Sequence, residues 1–458
     1  MRAMRDLVFI AFLGALFLLG SKRPFILILT YAYIDIVSPQ RLTYFLLNSI
    51  PISLIAFVAA VGGWIIFDNK ADTRLSYRQG LLLVLLIYCG VTTLYADFPI
   101  DALRKWDWVW KAIVFAIFLP LTLRTKLRIE ALSLIMVLSA SAIILNGGVK
   151  TALSGGGYGV LNLMVENNSG LYEGSIISTV AICIIPLILF LAKHGTVFPP
   201  DWRVRLFAYG YCFACLLIPI GTEARTGLIC VAVLGGMMFL SVKHKMLVAG
   251  AGALALICSI PFLPSSFTSR MDTIGKYQGD QSASTRLAVW QWTIDYVKDH
   301  PFGGGFDAYR SNSFRYQTTN QVVEPSGNVR IEHLTVVDQA RAYHSSYFEM
   351  LGEQGYLGLL LWLILNFGTM VRTEQVRRRY RDTNDPDKLW IAPYARALSQ
   401  GHLIYMIGSF FVGIAFQPFV FMLIALQIGI ATYTRRVEQE GNWEPMISPS
   451  SKAAVAGV

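Results

Sequence analysis

The chain has 458 residues, of which 54% are hydrophobic and only 15% charged, with a mean hydropathy of +0.50. A soluble domain carries roughly 25% charged residues, so a water-soluble globular protein is excluded. The net charge of +10 does not point to nucleic acid. It gathers in short stretches such as Lys243-His-Lys245 and Arg377-Arg-Arg379, while residues 263–345 balance eight Lys/Arg against eight Asp/Glu.

Apolar runs recur at 7–20, 24–38, 45–67, 79–95, 106–122, 128–147, 172–192, 205–221, 227–241, 246–262, 354–371, 396–414 and 417–434. In lipid only a helix of such a length satisfies its own backbone hydrogen bonds. The expected fold is an all-α polytopic membrane protein of 12 or 13 transmembrane helices. The first run is followed by Gly20-Ser-Lys-Arg, a poor cleavage site, and reads as an anchor. Lys and Arg crowd the connections 68–78, 123–128, 193–205, 242–245 and 372–394. That bias puts these loops inside and 263–345 outside a bacterial inner membrane. Arg104 and Lys105 in loop 96–105 run against it, as do Arg2 and Arg5 in a 13-span count.

The organisation expected is therefore N-terminal membrane helices over 1–262, a periplasmic loop over 263–345, C-terminal membrane helices over 346–436, and a disordered cytoplasmic tail over 437–458. Cys89, Cys183, Cys212, Cys215, Cys230 and Cys258 all fall in apolar runs. Cys212 and Cys215 lack a zinc or redox context, and neither disulfide nor metal is expected. Within the loop, Ser284–Asp299 alternates as an amphipathic helix suited to a membrane surface. His300-Pro301 stops it, and Gly303-Gly-Gly305 reads as a flexible turn. A second glycine-rich stretch, Ser154-Gly-Gly-Gly-Tyr158, reads as an external loop.

Three features carry chemical potential. Gly221-Thr-Glu-Ala-Arg225-Thr-Gly227 is a short external turn, where Arg225 either pairs with Glu223, reaches lipid phosphate, or serves a site. Arg286 lies four residues before Trp290 on one helix face, an arrangement also common in interfacial helices. His344 stands just before a membrane helix, where it is a boundary residue or a proton acceptor near neutral pH. Together, two guanidiniums that grip phosphate bidentately and one imidazole that deprotonates a hydroxyl suit one task. No cytoplasmic nucleotide reaches an outer face, so the phosphate leaving group belongs to a lipid carrier. Glu173, at the mouth of the next span, is a further site candidate.

The segment His344-Ser-Ser-Tyr-Phe-Glu-Met-Leu-Gly-Glu-Gln-Gly-Tyr-Leu-Gly358 resembles the H-[NS]-x-[YF]-x-x-x-L-x-E-x-G-x-x-G stretch of the bacterial O-antigen ligase/polymerase superfamily. Arg270-Met-Asp-Thr-Ile, Asp280, Arg286-Leu-Ala-Val-Trp290 and His300-Pro-Phe-Gly-Gly-Gly305 resemble its external loop, most closely in the exosortase A-associated O-glycosylation ligase branch. Lys22-Arg-Pro-Phe and Ser38-Pro-Gln-Arg-Leu-Thr-Tyr44 are similar to the same branch. The resemblance implies a C-type glycosyltransferase fold, with a periplasmic site that uses an undecaprenyl-diphosphate-linked glycan and needs no cofactor. It implies His344 as catalytic base and Arg286 and Arg225 as diphosphate ligands. This chain has Glu223-Ala224-Arg225 where many relatives have a serine before the arginine. Glu353 and the glycines Gly352, Gly355 and Gly358 match the motif and read first as helix packing.

The acceptor stays open between lipid A-core, for a ligase, and a growing glycan, for a polymerase. A protein O-glycosylating relative usually carries an additional C-terminal region, and the chain beyond residue 434 is short for one. A polysaccharide transporter or flippase instead predicts charges at mid-membrane depth.

Overall fold

The computed structural model describes residues 2–43, 47, 49–68, 70, 75–153, 170–241, 245, 281–323 and 329–441. The helices are α1 (Arg2–Lys22), α2 (Pro24–Val37), α3 (Pro39–Leu42), α4 (Ile52–Phe67), α5 (Tyr77–Leu94), α6 (Pro99–Thr122) and α7 (Lys126–Leu153). They continue with α8 (Gly174–His194), α9 (Trp202–Gly221), α10 (Arg225–Ser241), α11 (Gln281–Asp299), α12 (Ser346–Arg379), α13 (Ile391–Gly408) and α14 (Pro418–Gly441). Local chemistry sets their starts. Proline opens α2 and α6, where its missing N–H costs nothing. Ser76 and Gln79 form a capping box on α5, and the carboxylates of Glu173 and Asp201 cap α8 and α9.

Six helices are long and apolar enough to cross a membrane: α5, α7, α8, α9, α12 and α14. Three shorter apolar helices, α2, α4 and α10, accompany them. The protein is an all-α polytopic membrane protein. Its centre is set by α8, whose apolar window is 89% buried, and α14, at 78%, against 39% for α5, α9 and α12. A helix apolar all round belongs in the interior, and α8 packs on α9, α10 and α13. Outer helices turn Val58, Ile66, Leu206 and Phe213 outward, a surface suited to lipid. Inside, the ring nitrogens of His402 (α13) meet Gln427 (α14) at 2.8 Å and Asn366 (α12) at 3.0 Å, tying three helices through one buried polar triad.

Several elements differ from the sequence reading. The helix expected from residue 354 begins at Ser346 and is broken at Gly355. The span expected over 396–414 starts earlier, at Ile391, and ends at Gly408. Residues 409–417 form an irregular loop instead, buried at Val412 and Ile414–Phe416. The N–H of Ile414 is taken by Ser346 Oγ (2.8 Å) and that of Ala415 by Glu349 Oε2 (3.1 Å). Irregular backbone is tolerated at such depth only where protein groups satisfy it.

Residues 313–339 hold a β-ribbon that hydropathy alone did not indicate. Strand β1 (Ser313–Val323) pairs antiparallel with β2 (Val329–Gln339), from Ser313↔Gln339 to Val323↔Val329. Asn312 clips its base, donating through Nδ2 to Arg341 O (2.7 Å) and accepting from Arg341 N (2.9 Å). The amphipathic helix of the external segment is present as α11, ending at Asp299 before His300-Pro301. The glycine-rich stretch 154–158, the run 246–262, residues 263–280 and the tail beyond 441 lie outside the described residues. Between 437 and 441 the chain is still helical.

Candidate active site

The site grows from a backbone joint between two glycine motifs. At Gly355, φ is +64° and ψ −168°, a conformation closed to residues with a side chain. The break frees the carbonyls of Gly352 and Glu353 from their helix, and the loop after α11 supplies replacement donors. Gly304 N–H donates to Gly352 O (3.0 Å) and Gly305 N–H to Glu353 O (2.9 Å), while Tyr356 N–H donates to Pro301 O (3.0 Å). Gly303, at φ +81°, presses so close that a Cβ there would lie 2.4 Å from Glu353 O. The Gly303–Gly305 stretch, expected as a flexible turn, is buried and bonded. The reason is that α12 needs its N–H groups.

The joint fixes α12's first turns against α6. Glu349 and Glu353 lie one turn apart, and Lys105 of α6 reaches both. Its Nζ is 2.7 Å from Glu349 Oε1 and 2.8 and 2.9 Å from the Glu353 oxygens. The Lys105 side chain is 12% exposed and that of Glu353 is fully buried, so water screens this bridge weakly. Lys105 also lies over the Phe306 and Phe416 rings at 5.5 and 5.6 Å. The Asp307 N–H donates to Glu353 Oε1 (3.0 Å), and burial, partly opposed by Lys105, pushes the Asp307 carboxyl above its ordinary pKa.

Lys105, Asp307, Glu349 and Phe416 line a cavity of about 480 Å³ shared with Arg104, Glu173, Tyr309 and Gln417. Sequence reasoning singled out only Glu173 on this cavity's wall. It missed Lys105, Asp307 and Glu349. Lys105 and Glu353 are partners across 248 positions, and no local signal connects them. Glu353, expected as a packing residue, is a member of this charged cluster as well.

His344 stands behind Tyr343, whose ring meets Tyr309 edge-on at 5.7 Å. Its backbone is left-handed, φ +48°, and its side chain keeps an exposed face. Trp290 of α11 holds this stretch in place. Its Nε1 donates to Tyr343 O (2.9 Å), and its ring stacks on Phe348 at 4.8 Å. One turn earlier on α11 comes Arg286. Partial desolvation, then the charge of Arg286, then that of Arg341, hold the His344 pKa below its ordinary 6.5. Arg286 and His344 thus stand within each other's field.

Arg225 opens α10, half-buried, after a turn in which Glu223 is left-handed (φ +53°) and 5% exposed. The turn rests on the start of α8, where Thr222 Oγ1 and Ser178 Oγ share a hydrogen bond of 2.8 Å. One turn into α10, Cys230 lies against Gly408, and Ser409 O accepts from Ser346 N (2.8 Å). This chain of contacts puts the Arg225 turn at the same end of the bundle as His344. Glu173 caps α8 on the cavity wall. Glu223, Asp307, Ala340 and His344, all left-handed non-glycine residues, occur at this end. Strained backbone of that kind persists where surrounding structure fixes it.

No curated protein matches the chain. Residues 4–196 match a family of unknown function, DUF5935. Residues 210–363, from α9 through the broken start of α12, match the O-antigen ligase family, and that match supports a place in the O-antigen ligase superfamily of membrane proteins.

Proposed function

We propose that the protein is a glycosyltransferase that moves a glycan from an undecaprenyl-diphosphate carrier to an acceptor hydroxyl on the periplasmic face of the bacterial inner membrane. His344 accepts the proton of the acceptor hydroxyl as its oxygen attacks the anomeric carbon. The bond from that carbon to the diphosphate oxygen breaks, and the carrier leaves as the diphosphate. Arg286 and Arg225 hold the charge that develops on it. The observation that supports this reading is that Trp290, one turn after Arg286 on α11, donates to Tyr343 O and so holds the stretch bearing His344 against the helix that bears Arg286. A cation in reach of the imidazole favours its neutral, proton-accepting form, and a guanidinium also suits a phosphate.

The cavity lined by Glu173, Asp307, Glu349 and Gln417 offers acceptors for sugar hydroxyls, and Tyr309 offers a ring face. The matched family favours a ligase, whose acceptor would be lipid A-core. A repeat-unit polymerase uses the same chemistry with a glycan as acceptor. The test is transfer by the purified chain from a lipid-linked glycan to alternative acceptors. His344→Ala abolishes transfer while the protein still folds, and Arg286→Lys is poor because one ammonium cannot replace a fork. One transferred block marks a ligase, and a ladder on the carrier lipid marks a polymerase. Full activity in His344→Ala refutes the reading.

A further inference from the structure

At the end of the bundle opposite His344, α8, α10, α12 and α13 enclose a cavity of about 520 Å³. Helix direction establishes the separation. From Ser346 beside the site, α12 runs 34 residues to Arg379, and α8 likewise runs from Glu173 to His194. The third wall, α13, starts here at Ile391 and finishes at Gly408, next to Ser409 and Ser346.

Five basic side chains line the hollow: Lys193, His194, Arg377, Arg381 and Arg396. No carboxylate is among its lining residues. Glu374 accepts from Nε and Nη2 of Arg377 (2.6 and 2.8 Å), and Asp382 meets Arg381 at 3.2 Å, so these two guanidiniums are oriented while their charge is partly offset. A helix dipole favours cations in its last turn, which accounts for Lys193 and His194 on α8. It does not account for Arg396, in the first turns of α13, or for convergence from three helices on one concavity. The remaining wall is apolar, with Phe190 buried and Met238 of α10 48% exposed beside it. A cationic rim above an apolar wall, between helices, matches an amphiphile with an anionic head.

We propose that this hollow binds the phosphate of an anionic membrane phospholipid. The arginines grip the phosphodiester oxygens by charge-assisted bonds, and the first carbons of the acyl chains lie along Phe190 and Met238. The loop charges assign this end to the cytoplasmic leaflet, where such lipids meet it directly. The inference stands apart from the glycosyltransferase reading and does not need it.

The test uses the full-length chain purified in neutral detergent, with phosphatidylglycerol as probe and phosphatidylcholine and inorganic phosphate as comparison arms. Retained lipid is read by native mass spectrometry, and binding by titration. Phosphatidylglycerol should bind saturably, and Lys193→Gln combined with Arg396→Gln should weaken it about tenfold or more, as loss of charged hydrogen bonds predicts. Both side chains are exposed, and the Lys193→Gln single variant, expected to show a partial loss, guards against a folding defect in the pair. Lys388→Gln, at the same end but outside the hollow, should change nothing. Equal loss in Lys388→Gln reduces the effect to general surface charge and overturns the site. Binding of phosphatidylcholine as tight as phosphatidylglycerol overturns it too, as does inorganic phosphate competing at equal concentration, which would mark a soluble-anion site.

Discussion

Gly355→Ala is the most direct probe of the joint that organises the site. The substitution places a Cβ 2.2 Å from Pro301 O, 2.5 Å from Phe302 C and 2.6 Å from Gly303 N. All three are backbone atoms, so no side chain can swing away. Backbone strain at this φ/ψ costs about 1–3 kcal/mol. Parting the two motifs would further weaken three hydrogen bonds, each worth about 1 kcal/mol net. A total of about 3–5 kcal/mol follows, with loss of transfer, because Glu353 and the 303–305 loop move together. Gly368→Ala in the same helix is the control. No atom lies within 4 Å of its added Cβ, and alanine there should stabilise by about 0.5–1 kcal/mol. The assay is thermal and denaturant unfolding of the purified variants in one detergent, paired with glycan transfer. If Gly355→Ala unfolds within about 0.5 kcal/mol of wild type, a range typical of neutral surface changes, the joint does not bear on stability and the argument fails.

Lys105→Met should destabilise by about 3–5 kcal/mol, because it strands two carboxylates near a buried site. Adding Glu353→Gln should recover part of that loss in the same unfolding assay, and a double variant worse than the single one would contradict the bridge. The proposed role of His344 as base requires a neutral imidazole, and Arg286 is one of the charges lowering its pKa. Arg286→Gln therefore raises that pKa and moves the acid limb of kcat to higher pH, while an unmoved limb removes the coupling. Trp290→Phe keeps the stacking on Phe348 but loses the bond to Tyr343 O. It should cost about 1 kcal/mol and lower kcat more than it raises KM; unchanged kcat would show that Trp290 does not position His344.

Much of this was legible in the sequence where the signal is local. The aromatic period and the Pro301 stop defined α11, and apolar runs located the helical segments that the structure describes. Hydropathy misled at 409–417, because Phe410–Phe416 is as apolar as a helix and reports burial, not conformation. Gly413 and Pro418 were the available warnings. Polar residues 346–353 hid the true start of α12, since their partners, Ser409 O for Ser346 and Lys105 for Glu349, come from other elements. The ribbon at 313–339 was legible too, since Pro325-Ser-Gly-Asn328 is a turn signal between runs rich in Thr, Val and Ile, but a search for apolar runs passes over it. Lys105 looked like a stray loop cation against the charge rule, and only the fold shows that its charge is spent on Glu349 and Glu353.

The joint between residues 301–305 and 352–356 also sets an order of manufacture. Synthesis proceeds from the N-terminus, so α11 and its glycine loop emerge some fifty residues before their partners. Gly304 N and Gly305 N wait for the carbonyls of Gly352 and Glu353, and Pro301 O for the N–H of Tyr356. The acidic side of the Lys105 bridge arrives in the same interval, 244 to 248 positions after the lysine. The joint and the Lys105 bridge are thus completed late and together, and a chain released before residue 352 would carry Lys105 and the 301–305 loop without the groups that hold them in the fold.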